Sequence, residues 1–221
     1  MFRATMLSIA ALLICCPTLL AAEPEAVALF DGKSLDGWDS YLVEDDVAMA
    51  DVWSVKDGIL VCKGEPMGYL YTKEKFENFK LIVEWRWAPG GAAGNSGVLL
   101  RITGEHAPLP RCVEGQLKHN NAGDVWAFKG FKCTGPAERF REVENAMLGK
   151  FVGVQRADTN EKAPGQWNKY EITIKDDALT LIVNGKQLNH VTGCDQVAGH
   201  IGLQSEGGEI QFRTVKLIPL D

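Results

Sequence analysis

From Trp53 onward the chain is cut into short apolar runs by Gly, Asn, Asp or Pro, and within several runs the apolar residues recur at every second position. In the longest run Phe79, Leu81, Val83, Trp85 and Trp87 share one parity, while Lys80, Ile82, Glu84 and Arg86 share the other. Successive side chains of a strand point to opposite faces, so the first set predicts a core face and the second an outer one. The pattern predicts strands over 52–56, 58–63, 68–72, 78–87, 96–103, 112–118, 167–175, 178–183, 186–192, 199–204 and 209–218. Asp176-Asp177 and Asn184-Gly185 fall between alternating runs and predict two-residue hairpins, whose backbones need positive φ. One stretch, 137–148, has helical spacing, with Phe140, Val143 and Met147 on one face, and 119–136 and 152–166 read as long loops. The expectation is an all-β sandwich of two antiparallel sheets with at most one short helix.

Composition narrows this further. A chain of 221 residues, 46% hydrophobic, is long enough for one sizeable core and short for two, and 23 Gly suit a turn-rich β protein better than a helical bundle. The first 22 residues carry Arg3, an apolar run from Met6 to Cys16 and a small-residue Ala21-Ala22 end, which predicts a signal peptide and a periplasmic or secreted protein. The domain is then expected over 27–221. No later run reaches the roughly 20 apolar residues of a membrane-spanning helix. A formal charge of -6 without a basic patch speaks against nucleic acid. Beyond the leader stand Cys62, Cys112, Cys133 and Cys194, for which an oxidising compartment predicts disulfides, with Cys112 to Cys133 favoured across the loop between them.

Several catalytic signatures fail. Gly32-Lys33-Ser34 lacks the earlier Gly of a phosphate-binding loop, and there is no Gly-x-Ser-x-Gly, His-Glu-x-x-His or Gly-x-Gly-x-x-Gly. The four histidines are scattered, so neither a metal nor a cofactor is expected. The remaining chemistry belongs to carboxylates and arginines on strands, with aromatic faces suited to sugar rings. In 112–118, Cys112, Glu114, Gln116 and Lys118 share a face; if that strand neighbours 78–87, then Glu84, Arg86, Glu114 and Gln116 form one polar patch. His119 ends the strand and Trp126 lies in the following loop, where a ring can meet a ligand. The plainer reading of each acid is a solvated strand residue, and of Trp85 and Trp87, core.

At this point the residues resemble a known family. Leu29-Phe-Asp-Gly-Lys-Ser-Leu-Asp-Gly-Trp38 looks like the opening motif of the bacterial 3-keto-disaccharide hydrolase domain. The likeness continues through Trp53-x-Val-x-Asp-Gly58, Glu84-Trp-Arg86, Gly94-Asn-Ser-Gly97 with Arg101, Glu114-x-Gln116, Pro164-Gly-Gln-Trp-Asn168, Asn184-Gly185, Gly202-Leu-Gln204 and Phe212-Arg213. Many members carry an aromatic residue between the Glu and the Gln, where this chain has Gly115, followed by Lys118-His119-Asn120-Asn121. The resemblance implies a concanavalin A-like jelly roll and hydrolysis of a glycoside already oxidised to a ketone at C3. Strand parity and the matching motif positions together give an expected site of Glu84, Glu114 and Arg86 as catalytic groups, with Arg101, Gln116, His119, Trp126 and Gln204 binding a carbohydrate. The opposing expectations are a non-catalytic carbohydrate-binding module and a structural or cell-surface interaction domain, since one sandwich hosts many functions.

Overall fold

The computed structural model describes residues 25–145 and 149–221. The predicted signal peptide lies outside them. In chain order the elements are β1 (Val27–Ala28), β2 (Trp38–Leu42), α1 (Met49–Val52), β3 (Trp53–Lys56), β4 (Ile59–Cys62), β5 (Gly68–Thr72), β6 (Phe79–Trp87), β7 (Gly97–Thr103) and β8 (Arg111–Gln116). There follow β9 (Val125–Ala127), β10 (Phe140–Asn145), β11 (Gly149–Val154), β12 (Asn168–Lys175), β13 (Ala178–Val183), β14 (Lys186–Val191), β15 (His200–Ser205) and β16 (Ile210–Pro219).

Two antiparallel sheets face each other. The first runs β14-β13-β12-β6-β16-β4-β3, with β1 added to β16, and the second runs β10-β11-β9-β8-β7-β15-β5-β2. Strict alternation along β6 buries Phe79, Leu81, Val83, Trp85 and Trp87 to 1% exposure or less. They pack in one cluster with Leu70, Val98, Leu100, Val113 and Leu203 of the second sheet. Burying such side chains stabilises a fold by roughly 1.5–3 kcal/mol each before conformational entropy is offset. The two hairpins form as expected, with Asp176 and Asn184 both at φ 50° and Gly185 at 82°.

Three expectations need correction. The stretch 137–148 is not a helix: Phe140–Asn145 forms edge strand β10, paired in register with β11, while residues 146–148 lie outside the described positions. Phe140 and Val143 fit helical spacing, but they stand on opposite faces of the strand, whose backbone is satisfied by β11. The helix that does form, α1, has four residues and lies elsewhere, capped by a backbone donation from Ala48 N to Asp51 Oδ2. The loops at 119–136 and 152–166 hold β9 and the end of β11. No disulfide joins Cys112 and Cys133, and all four described thiols are free. The physical reason is that Cys112 belongs to a small cluster on the outer face of the second sheet, whereas Cys133 belongs to the core.

Candidate active site

The outer face of the second sheet carries a polar cleft of about 220 Å3. Its floor is β8, where Gly115 turns inward and Glu114 and Gln116 outward. Glu114 is 2% exposed, and its side chain lies over Gly97 of the neighbouring strand so closely that a Cβ there would sit 1.8 Å from Oε1. On the other side Glu114 pairs with Trp126 of β9, whose ring takes the space a Cβ on Gly153 of β11 would fill. Two missing side chains thus make room for one acid and one aromatic ring. Phe151 meets Trp126 edge-on at 5.6 Å, and with Leu109 and Phe128 it completes an apolar wall.

The opposite wall is polar. Gly94-Asn95-Ser96-Gly97 is knitted to the end of β15 and the turn after it: Asn95 N donates to Gly207 O at 2.9 Å and Ser96 Oγ donates to Gln204 O at 2.7 Å. This places Asn95, Gln204 and Glu206 along the cleft, with Lys118, Asn121 and Asp124 at its end. Gln116 Oε1 accepts from Leu117 N and Lys118 N at 2.8 and 2.7 Å, which pins its amide. Asp124 Oδ1 accepts from Arg156 N and Nη1 at 2.8 and 3.0 Å.

Two carboxyls here are shifted in the same direction. Burial, reinforced by the charges of Glu206 and Asp124, holds Glu114 well above the usual carboxylate range. Burial also raises Glu206, against the pull of an Asn95 hydrogen bond and the Lys118 charge. Glu114 Oε1 and Asn95 Oδ1 are buried without hydrogen-bond partners. Gln204, 1% exposed, lies near Glu206 without a well-formed bond from either amide atom. Buried polar atoms are ordinarily satisfied, and Glu114, Asn95 and Gln204 bring four unpaired ones to this cleft. Among the described residues no group of three or more His, Cys, Asp or Glu is gathered to hold a metal ion.

A model described as the 3-keto-alpha-glucoside-1,2-lyase-like domain matches residues 25–218. The chain belongs to that family. A 3-keto-disaccharide hydrolase of Bacteroides thetaiotaomicron is 23% identical over 245 residues, covering 88% of this chain and 78% of that protein. A solved structure of a candidate glycosyl hydrolase from Parabacteroides distasonis is 20% identical, with a TM-score of 0.63, covering 89% of this chain and 94% of that one. The Bacillus licheniformis β-glucanase shares the fold at 11% identity and a TM-score of 0.55, covering 90% and 99%. The jelly-roll expectation is met.

The site expected from the sequence divides in two. Glu114, Gln116, Trp126 and Gln204 line the cleft together. Glu84 and Arg86 do not join them, because β6 lies in the first sheet and β8 in the second. Glu84 accepts from Arg213 Nη2 and Nε at 2.8 and 3.2 Å and from Thr214 Oγ1 at 2.7 Å, and the Arg213 bond holds its carboxyl below the usual range. A bulge between Phe212 and Thr214 leaves Arg213 opposite no partner and free to reach it. Arg86 donates to Gln211 Oε1 at 2.8 Å and lies 4.4 Å over the Trp167 ring.

Arg101 is likewise absent from the cleft. Fully buried at φ 53°, it donates to the carbonyls of Glu77, Asp176 and Asp195 and to Asn78 Oδ1, binding loops together. His119 sits beside the cleft without lining it, its Nδ1 2.9 Å from Glu161 Oε1. Glu206 and Asp124 were missed because both stand on turns, where strand parity carries no information. The available cue for Glu206 was its place just after Gln204, opening the Gly207-Gly208 turn.

Proposed function

We propose that the cleft binds a glycoside oxidised to a ketone at C3 and cleaves its glycosidic bond by elimination followed by water addition. The observation that carries this reading is the buried Glu114 and the half-buried Glu206 facing one cleft with the unpartnered amide of Gln204. The ketone acidifies the C2 proton. Glu114, on the floor, takes that proton; the C2 electron pair forms the C1–C2 double bond; and the C1–O bond breaks as Glu206 protonates the departing oxygen. Glu206, now ionised, takes a proton from water as the hydroxyl adds to C1, and a proton exchanged with water passes back through Glu114 to C2, which restores both acids. Two like charges in one site favour a pair that carries a single proton; in the reacting form that proton sits on Glu206, and the raised pKa of Glu114 makes its carboxylate a stronger base than a free one. Gln204, Asn95 and Lys118 supply donors for the enolate oxygen, and the Trp126 face suits the apolar side of a sugar ring. A cleft of about 220 Å3 is smaller than the roughly 300–1,000 Å3 of drug-sized pockets and suits one ring.

The test is Glu114→Gln with a C2-deuterated 3-keto-disaccharide. Wild type should release the deuterium into water during turnover, and the variant should lose about 10²- to 10⁴-fold in kcat while still binding the sugar. Full activity in the variant, or cleavage with the deuterium retained, would sink the mechanism. Sugar binding by the wild type without turnover on either keto or unoxidised disaccharides would favour the carbohydrate-binding module instead.

A further inference from the structure

Glu206 lines more than the cleft. It is also a wall of a second groove of about 580 Å3, formed with Glu44, Glu65, Pro66, Met67 and Gly207. Three segments that are distant in sequence make this groove, and each is tied to the next. Val43 N donates to Met67 O at 3.0 Å, Ser205 Oγ donates to Pro66 O at 2.9 Å, and Gly207 N donates to Gly64 O at 2.7 Å. The approach is close enough that a Cβ on Gly64 would stand 2.4 Å from Gly208 O. The groove is therefore built into the fold.

We propose that this groove seats the leaving group of the substrate, and that the leaving group is a neutral sugar ring. The inference rests on the glycoside-cleaving reading of the adjoining cleft. The glycosidic oxygen must lie beside the carboxyl that protonates it, so the departing ring extends past that carboxyl. Glu114 is closed in by Gly97 and Trp126, whereas Glu206 opens on the groove. A further groove of about 440 Å3 meets the cleft at Phe151, which has no proton to give.

The lining also specifies the ligand's chemistry. Glu44 and Glu65 are exposed carboxylates that accept hydrogen bonds from hydroxyl groups, and Pro66 and Met67 offer an apolar surface to ring C–H groups. Among the described residues no Lys or Arg lines the groove, so a uronic acid or sulfated ring would meet like charge without compensation.

The experiment compares kcat/KM on three 3-keto-glucosides whose leaving groups are a neutral hexose, a uronic acid and methanol. Wild type should prefer the neutral hexose over the uronic acid by at least about tenfold. Glu65→Lys and Glu44→Lys, charge reversals at exposed positions, should lower the hexose-to-methanol ratio about tenfold and raise the uronic acid relative to the hexose. Unchanged ratios would overturn the proposal, as would the same shift from Glu144→Lys in the groove beside Phe151. Absence of turnover on all three would overturn the catalytic reading instead, and calorimetry with the neutral disaccharide would then decide the groove. Affinity lost in Glu65→Lys supports it, and equal affinity refutes it.

Discussion

The carboxyl of Glu114 owes its position to a residue that has no side chain. Gly97 is paired with Gln116, and its missing Cβ is the space into which Glu114 folds. Replacing it by Ala, with no positive φ to strain the backbone, should push the end of a flexible side chain aside. The expected outcome of Gly97→Ala is a loss of about 10²-fold in kcat, the cost of misplacing a reacting group by about 1 Å. Destabilisation should stay near 1–3 kcal/mol, as for other overpacked sites. Steady-state rates and denaturant melts on one preparation check both; full activity would show that Glu114 need not lie where it does. Gly115 shows the same logic on the inner face. A Cβ there would stand 3.0 Å from the Tyr170 hydroxyl, so Tyr170 of β12 fills the space beside this position.

Elements decide which polar residues meet. Strand parity assigned Glu84 and Arg86 of β6 to one face and Glu114 and Gln116 of β8 to another, and each assignment is correct within its strand. Parity does not say which strands share a sheet. Here β6 lies between β12 and β16, and β8 between β7 and β9, so the two polar faces look away from each other across the core. Glu84→Gln should therefore keep full activity and cost no more than about 1 kcal/mol, as expected of a solvent-facing ion pair. Arg101 should behave oppositely. Arg101→Met leaves the carbonyls of Glu77, Asp176 and Asp195 without their buried donor, and at roughly 1–3 kcal/mol for each unsatisfied group the loss should exceed about 3 kcal/mol. A collapse of activity in Glu84→Gln, or an Arg101→Met protein as stable as wild type, would contradict these placements.

At the scale of the whole molecule, the two raised acids couple the cleft to folding. A carboxyl whose folded pKa lies above its unfolded value holds its proton in the fold after the unfolded chain has released it. Its favourable contribution is complete below the ordinary value near 4.5 and is lost as pH rises toward the folded one. Stability should therefore decline from pH 5 toward pH 8 more steeply in wild type than in Glu114→Gln, which removes the buried charge. The variant should melt higher at pH 8 and lose most of that advantage at pH 5, as thermal scans would register. Equal melting curves at both pH values would mean that Glu114 carries no buried charge.

The sequence by itself determined β3 to β8 and β12 to β16, their faces and the two tight hairpins, because alternation and turn chemistry are local and a one-residue slip would expose the core face, whereas β1, β2 and β9 to β11 went unread. It also carried the family motifs that brought Glu114, Gln116 and Gln204 into consideration, and the loop position that brought in Trp126. Only the tertiary structure decided which of the acids stand together. Glu206 reaches the cleft from a turn and Glu114 from a strand 92 positions earlier in the chain, brought together by hydrogen bonds between Gly94-Asn95-Ser96-Gly97 and the end of β15 with its following turn. Edge strand β10 was hidden for a related reason, since its backbone partner β11 and not its own apolar spacing makes it a strand. Periodicity reports what one segment presents to its surroundings. Sheet order and loop contacts depend on how all the segments bury their faces at once, and those long-range contacts brought Glu206 to Glu114 and kept Glu84 apart.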